Sequence, residues 1–123
     1  MTKHSEFVDY LLELLVPLGG VSAKAMFGGY GIYQDGLMFG LVADDVLYLK
    51  TDDGNRAAFE ARALPPFTYE RTGKPAIVMS YHRAPEDALE ESEELCRWAR
   101  DACAAARRNA NKKKPTSRKR AAP

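Results

Sequence analysis

The first regular pattern of hydrophobic and polar positions is helical. Between residues 7 and 18 the apolar side chains recur at spacings of three and four, and acidic residues occupy the other positions. Ser5 can cap the start of this segment, and a proline followed by two glycines closes it. The pattern predicts an amphipathic first helix.

Strand patterns follow the first helix. Residues 24–34 carry aromatic residues and three glycines, and Asp35-Gly36 separates them from the apolar run 37–42, which is a strong hairpin signal. A second polar turn leads into residues 46–50, where apolar residues predominate. These patterns predict a meander of three strands.

The second half of the chain predicts two more helices and two more strands. Residues 55–62 form a short helix anchored by Phe59, and Pro65-Pro66 ends it. Residues 67–71 and 76–79 form a second hairpin. The fold class is therefore α+β, in two layers, with the order α-β-β-β-α-β-β-α and a five-stranded antiparallel sheet.

Charged residues are distributed unevenly along the chain. Residues 1–106 contain all 17 acidic side chains and 10 basic ones, whereas residues 107–123 contain 8 basic side chains and no acidic one. Pro85 can open a long last helix that reaches about residue 107. We expect one folded domain over residues 1–106 and a disordered basic tail over residues 107–123.

The composition also indicates the cellular location and the redox state of the cysteines. No apolar run approaches the ~18 to 20 residues of a membrane-spanning helix, and no signal-peptide pattern is seen, so we expect a cytoplasmic protein with no membrane partner. Cys96 and Cys103 lie too far apart along the last helix to form a disulfide. We expect both to be reduced thiols in the core.

No segment of the sequence fits a known catalytic or ligand-binding pattern. The glycines of the segment Gly28-Gly29-Tyr30-Gly31 lack the spacing and the following helix of a phosphate loop, so close strand packing is favoured. His4 and His82 have no partners at metal-ligand spacing, and an exposed His82 is expected. We predict no cofactor, no metal and no catalytic residue.

A set of short motifs resembles a known family. The chain resembles the N-terminal domain of the TfoX/Sxy family, bacterial regulators of natural competence, over residues 5–106. The segments that carry the resemblance are 25–33, 36–41, 47–50, 66–69, 79–81 and 85–86. The motif residues, assigned a structural or partner-binding role, are Met26, Phe27, Gly28, Gly29, Tyr30, Gly31 and Tyr33.

The resemblance implies a fold and a role. The fold is similar to that of type III secretion chaperones, which bind proteins as dimers, and the role is regulatory, since competence regulators act with a transcription activator at promoters. In those regulators a second, C-terminal helical domain follows, where this sequence has its basic tail. The expected partner is therefore a protein of the transcription machinery or a regulator, and a homodimer is left open.

The basic tail suggests a second kind of contact. Cations on a flexible segment can neutralise phosphates without reading sequence. The candidate residues for contact with DNA or RNA are Arg107, Arg108, Lys112, Lys113, Lys114, Arg118, Lys119 and Arg120.

The predicted function is that of a non-catalytic regulatory domain in transcription regulation that binds a protein partner, with non-specific nucleic-acid contact through the tail. The first alternative is a dimeric, chaperone-like binding module with no nucleic-acid role. The second alternative is an enzyme with a small pocket near Gly29, Tyr33 and His82.

Overall fold

Within the described residues the fold consists of three α-helices and one six-stranded sheet. The structure is a computed structural model that describes residues 5–26 and 28–113. In chain order its elements are α1 (Glu6–Leu14), β1 (Val21–Met26), β2 (Gly29–Gln34), β3 (Leu37–Ala43), β4 (Val46–Lys50), α2 (Arg56–Glu60), β5 (Pro66–Arg71), β6 (Lys74–Arg83) and α3 (Ser92–Lys113). Short 3₁₀ turns occupy Val16–Leu18 and Glu86–Glu90.

The sheet is antiparallel throughout, in the order β1-β2-β3-β4-β6-β5. The predicted α+β class and the antiparallel sheet are confirmed. The strand count differs by one because the segment predicted as a single strand contains a turn. Met26 pairs with Gly29, and β1 and β2 form a hairpin there.

The two polar turns between apolar strands adopt the conformation that tight hairpins need. Asp35 and Gly36 have φ angles of 49° and 89°, and Asp44 and Asp45 have φ angles of 53° and 59°. Two successive residues with positive φ match the right-handed twist of the flanking strands. The predicted hairpin at Asp35-Gly36 is confirmed.

The helices lie together on one face of the sheet. Phe59 of α2 is fully buried, as predicted, and its ring contacts that of Trp98 on α3 with centroids 4.9 Å apart. Apolar side chains from α1, α3 and the central strands complete this core. The main members are Val8, Leu11, Leu15, Ile32, Phe39, Val42, Leu47, Leu49, Leu95, Cys96, Ala99, Ala102 and Cys103.

The first helix is shorter than its pattern predicts. The Ser5 hydroxyl caps α1 by accepting a hydrogen bond of 3.2 Å from the Val8 amide. The helix ends at Leu14, and a 3₁₀ turn over Val16–Leu18 completes the segment. Pro17 within that turn has no amide hydrogen to donate, so the α-helical hydrogen-bond ladder does not continue through it.

The last predicted helix is divided into two parts. After the 3₁₀ turn, Glu91 is extended (φ −144°, ψ 114°), and α3 starts at Ser92, whose hydroxyl donates a 2.7 Å hydrogen bond to the Leu14 carbonyl. This contact joins the start of α3 to the end of α1. At its other end α3 continues through residues 107–113, the first part of the predicted tail.

Two further observations bear on the sequence predictions. Cys96 and Cys103 are unpaired, buried thiols on α3, which confirms their predicted place. Within residues 5–26 and 28–113, no helix has the length and apolar content needed to cross a bilayer.

Candidate functional site

The two faces of the sheet differ in what covers them. Ile32 and Leu49 point toward the helices and belong to the core. Neighbouring strand residues point to the opposite side, which we call the open face. The open face comprises Met26, Gly31, Tyr33, Met38, Leu41, Tyr48, Phe67, Tyr69, Met79 and Tyr81.

The side chains of the open face contact one another across the strands. The Tyr48 and Phe67 rings meet edge to face with centroids 4.9 Å apart, although β6 lies between their strands. The Lys50 ammonium lies 5.1 Å from the centre of the Tyr81 ring, and the Lys24 ammonium lies 5.4 Å from that of Tyr33. Aromatic and methylene groups therefore cover part of this face.

Two residues of the open face are buried without belonging to the helical core. Leu41 is 8% exposed and Tyr81 is 7% exposed. Burial, together with the nearby Tyr33, raises the pKa of Tyr81 to about 12. The Tyr81 hydroxyl therefore stays protonated at neutral pH, and Tyr81 packs as a neutral aromatic residue.

A groove of about 440 Å³ opens on this face, near the β1–β2 and β3–β4 turns. We call it the methionine groove. Its lining consists of Met26, Gly28, Gly29, Tyr30, Met38, Leu41, Val42, Ala43, Asp44, Phe67, Tyr69 and Met79. Because β1 and β5 are the two edge strands and both contribute, the sheet curls around the groove.

Gly29 and Gly31 explain why the β2 motif is rich in glycine. A Cβ atom on Gly29 would lie 2.1 Å from the Val42 carbonyl oxygen of the neighbouring strand. A Cβ atom on Gly31 would lie 2.8 Å from the Met26 sulfur and 3.2 Å from the Met38 sulfur. Close packing is thus the role of these glycines, as the sequence predicted, and it brings two methionines together on the open face.

The structure brings most of the predicted motif residues to one place. Met26, Gly28, Gly29 and Tyr30 line the groove, and Tyr33 lies beside it on the open face. Phe27 is outside the described residues. The groove also takes residues from later segments of the family resemblance, which the sequence did not place beside the glycine-rich motif. These are Met38, Leu41, Phe67, Tyr69 and Met79.

The prediction for His82 was wrong. His82 is 6% exposed, its Nδ1 atom lies 3.1 Å from the Thr51 hydroxyl, and its ring lies 5.6 Å from that of Phe59. It is buried because Leu49, which pairs with it, places it on the helix-facing side of the sheet. Burial lowers the pKa of His82.

The pocket suggested for an enzyme is not formed. Gly29 lines the methionine groove and Tyr33 lies on the open face, whereas His82 faces the helices. The three residues therefore do not converge on one cavity. A sheet separates the imidazole from the other two.

The two cysteine thiols are buried on α3. Burial raises the pKa of the Cys103 thiol to about 11. The Cys96 sulfur lies 3.4 Å from the Leu14 carbonyl oxygen, to which it donates a weak hydrogen bond. The raised pKa of Cys103 disfavours the thiolate, which is the nucleophilic form.

The basic residues of the predicted tail fall into two groups. Arg107 and Arg108 are exposed on α3, and the helix also includes Lys112 and Lys113. The other candidates, Lys114, Arg118, Lys119 and Arg120, lie outside the described residues.

Asp52 pairs with one of these cations. Its carboxylate accepts hydrogen bonds from the Arg108 guanidinium at 2.6 and 2.7 Å and from the Gly54 amide at 2.8 Å. The Arg108 hydrogen bonds lower the pKa of Asp52 to about 2. Asn55 occupies the N-cap position of α2, and Asp52 fixes the end of α3 to the α2 loop.

The described part of the chain contains no cluster of three or more His, Cys, Asp or Glu side chains able to hold a metal ion.

Comparison with known proteins identifies the family of this chain. Residues 13–106 match the TfoX N-terminal domain. The chain belongs to the TfoX N-terminal domain family.

This TfoX-domain chain is similar in sequence to two named proteins. It is 28% identical over 90 residues to Protein Sxy of Escherichia coli strain K12, a match that covers 72% of this chain and 42% of Sxy. It is 32% identical over 96 residues to the DNA transformation protein TfoX of Haemophilus influenzae, covering 77% of this chain and 43% of that protein. The chain thus spans less than half the length of either relative.

Proposed function

We propose that this TfoX-type domain is a non-catalytic regulator of transcription that works by binding a protein partner through the open face of its sheet. The observation that carries the proposal is the methionine groove, an apolar depression on a sheet face that no helix of the described residues covers. Exposed apolar depressions of this kind favour association with another molecule.

Two further lines support a regulatory role. Residues 13–106 match the TfoX N-terminal domain, and one named relative is a DNA transformation protein, which connects the family with DNA uptake. Among the described residues, the groove lining contains no histidine or cysteine, and its one carboxylate, Asp44, lies in a turn. Such a lining suits binding better than acid, base or nucleophilic chemistry.

Capture of the partner tests this proposal. The full chain is immobilised and incubated with nuclease-treated native lysate, and retained proteins are identified by mass spectrometry. We expect a transcription regulator or a polymerase subunit to be retained. Tyr69→Ser, which trims an aromatic side chain that is 45% exposed in the groove lining, should reduce retention several-fold.

The matched control is Val16→Ser. Val16 is 69% exposed in the 3₁₀ turn after α1, in the helix layer, so the same apolar-to-serine change there should leave retention unaltered. Retention that vanishes on nuclease treatment, or that Tyr69→Ser leaves at the wild-type level, would contradict binding of a protein through the open face.

A further inference from the structure

The lining of the groove has an unusual composition. The chain has four methionines, and the three beyond Met1, namely Met26, Met38 and Met79, all line this one groove. Each of these three is half-buried. Methionine is unbranched and has a polarizable sulfur, so a methionine-lined surface adapts its shape to different apolar side chains.

Among the described residues that line the groove, one carries a charge. Asp44 is the charged residue among those that line the groove, and it is exposed in the β3–β4 turn. No cation of the described residues forms an ion pair with it. An occupant that carries a cation beside its apolar groups would therefore complement both the groove and its end.

Two other sources of an occupant fit less well. The chain's own basic segment, residues 107–123, contains alanine and proline but no large apolar side chain, so it cannot fill the groove. A second copy would bring another body in which residues 1–106 hold 17 acidic and 10 basic side chains, and like charges would oppose the approach.

We propose that the methionine groove binds a segment of a partner protein in which large apolar side chains stand next to lysine or arginine. The inference rests on the proposed function, since it names the class of partner segment for the same face. The volume of about 440 Å³ lies within the range of about 300 to 1,000 Å³ typical of ligand sites. Apolar contact with the methionines supplies affinity, and Asp44 sets the position of the cation.

The test uses the full chain and a designed, fluorescein-labelled peptide of leucines and lysines in an amphipathic pattern. Two matched peptides replace either the leucines with serine or the lysines with glutamate. Fluorescence anisotropy should show binding of the leucine–lysine peptide and an affinity about tenfold or more lower for the serine peptide, which lacks apolar surface. The glutamate peptide should also bind more weakly, because it repels the acidic body.

The binding site of the peptide is located by NMR, from the methyl signals of protein labelled with ¹³C-methyl methionine. The signals of Met26, Met38 and Met79 should shift on titration with the peptide, while that of Met1 serves as an internal reference. This measurement needs no substitution, so it does not depend on a variant that folds.

Variants give an independent reading. Met79→Lys should weaken peptide binding about tenfold, whereas Val16→Lys, the same class of change in the helix layer, should not. Asp44→Asn retains a residue that tolerates positive φ and should weaken binding about two- to threefold at low salt only, as expected for an exposed ion pair.

The inference is wrong if the leucine–lysine peptide does not bind, if the serine peptide binds with equal affinity, or if binding leaves the three methionine signals unchanged. Concentration-dependent shifts of these signals without peptide would assign the groove to a second copy instead. If the leucine–lysine peptide does not bind while Tyr69→Ser still reduces capture of a protein from lysate, the inference about the partner segment fails and the proposed function stands.

Discussion

At the scale of single residues, His82 is the clearest case of a side chain whose environment depends on pairing. Its imidazole is buried against Phe59 and hydrogen-bonded to Thr51. Burial disfavours the charged imidazolium, so the pKa of His82 in the folded protein lies below its ordinary value of 6.5. Folding is thus linked to the neutral form of this residue.

His82 should make stability depend on pH. Above about pH 6.5 the imidazole is neutral in both states and its contribution to folding is complete. As the pH falls below that value, the unfolded chain takes up a proton that the folded chain resists, so the free energy of unfolding decreases, by at most about 1.4 kcal/mol per pH unit for one proton.

Urea unfolding of the wild type and His82→Gln between pH 7.5 and 5 measures this effect. The variant should be less stable at pH 7.5, and the gap should narrow as the pH falls. His4 is present in both proteins, so its titration cancels in the comparison. A gap that stays constant, or widens toward low pH, would show that His82 is not held neutral by the fold.

Gly29 and Gly31 show how two identical residues two positions apart have different roles. At Gly29 the atom that a side chain would meet is a backbone oxygen of β3, which cannot move without breaking the strand pairing. At Gly31 the nearest atoms belong to Met26, Tyr33 and Met38, whose flexible ends can shift. A side chain at position 29 would therefore disrupt the pairing of β2 with β3, whereas a side chain at position 31 would change the shape of the groove.

At the scale of elements, the β1–β2 hairpin is the turn that sequence patterns did not predict. Polar pairs mark the turns at residues 35–36 and 44–45, and both of these hairpins were predicted correctly. The turn between Met26 and Gly29 has no polar residue to mark it, and it lies inside an apolar, glycine-rich run. Residues 24–34 therefore looked like one strand.

The loop before α2 ties that element to the far end of α3. Asn55 is 7% exposed, accepts a hydrogen bond from the Asp52 amide at 2.8 Å and donates one to the Lys50 carbonyl at 3.0 Å. Asp52, held by this loop, then receives both Arg108 hydrogen bonds. The helix thus continues past residue 106 with a specific tertiary contact.

A double-mutant cycle on Asp52→Asn and Arg108→Gln measures that contact. Because Arg108 is about half exposed and screened by solvent, we expect a coupling energy of only about 0.5 to 1 kcal/mol. Asp52 has a lowered pKa, so the coupling should be complete above its ordinary value of 3.8 and should be lost as the pH falls toward about 2.

Hydrogen exchange gives a second reading of the same pair. Either substitution should speed amide exchange in residues 109–113, since the end of α3 loses its attachment. Arg107→Gln is the matched control, because it removes a neighbouring cation that has no described ion-pair partner. Equal effects of Arg107→Gln and Arg108→Gln would contradict a specific role for the pair.

At the scale of the whole molecule, the sequence was sufficient for the fold class, the hairpins with polar turns, the buried cysteines and the family. Each of these depends on local periodicity or on a contiguous motif. The methionine groove was not predictable in this way, because it joins Met26 of β1 to Phe67 of β5 across the sheet. Burial of His82 likewise depends on its pairing with Leu49.

The division of charge yields the last prediction, which concerns nucleic acid. The full chain should bind a fluorescent DNA duplex with an affinity that falls steeply as salt rises, because cations that neutralise phosphates release counterions. Deleting residues 114–123 removes four cations and leaves α3 intact, and each phosphate that is no longer neutralised should lower the logarithmic salt slope by about 0.9.

Two controls accompany this deletion. A scrambled segment of the same composition should restore binding, since no base is read. Arg108→Gln should change the slope little, because Asp52 already neutralises that cation. Salt-insensitive binding, or full affinity after the deletion, would show that the basic segment is not what contacts the phosphates.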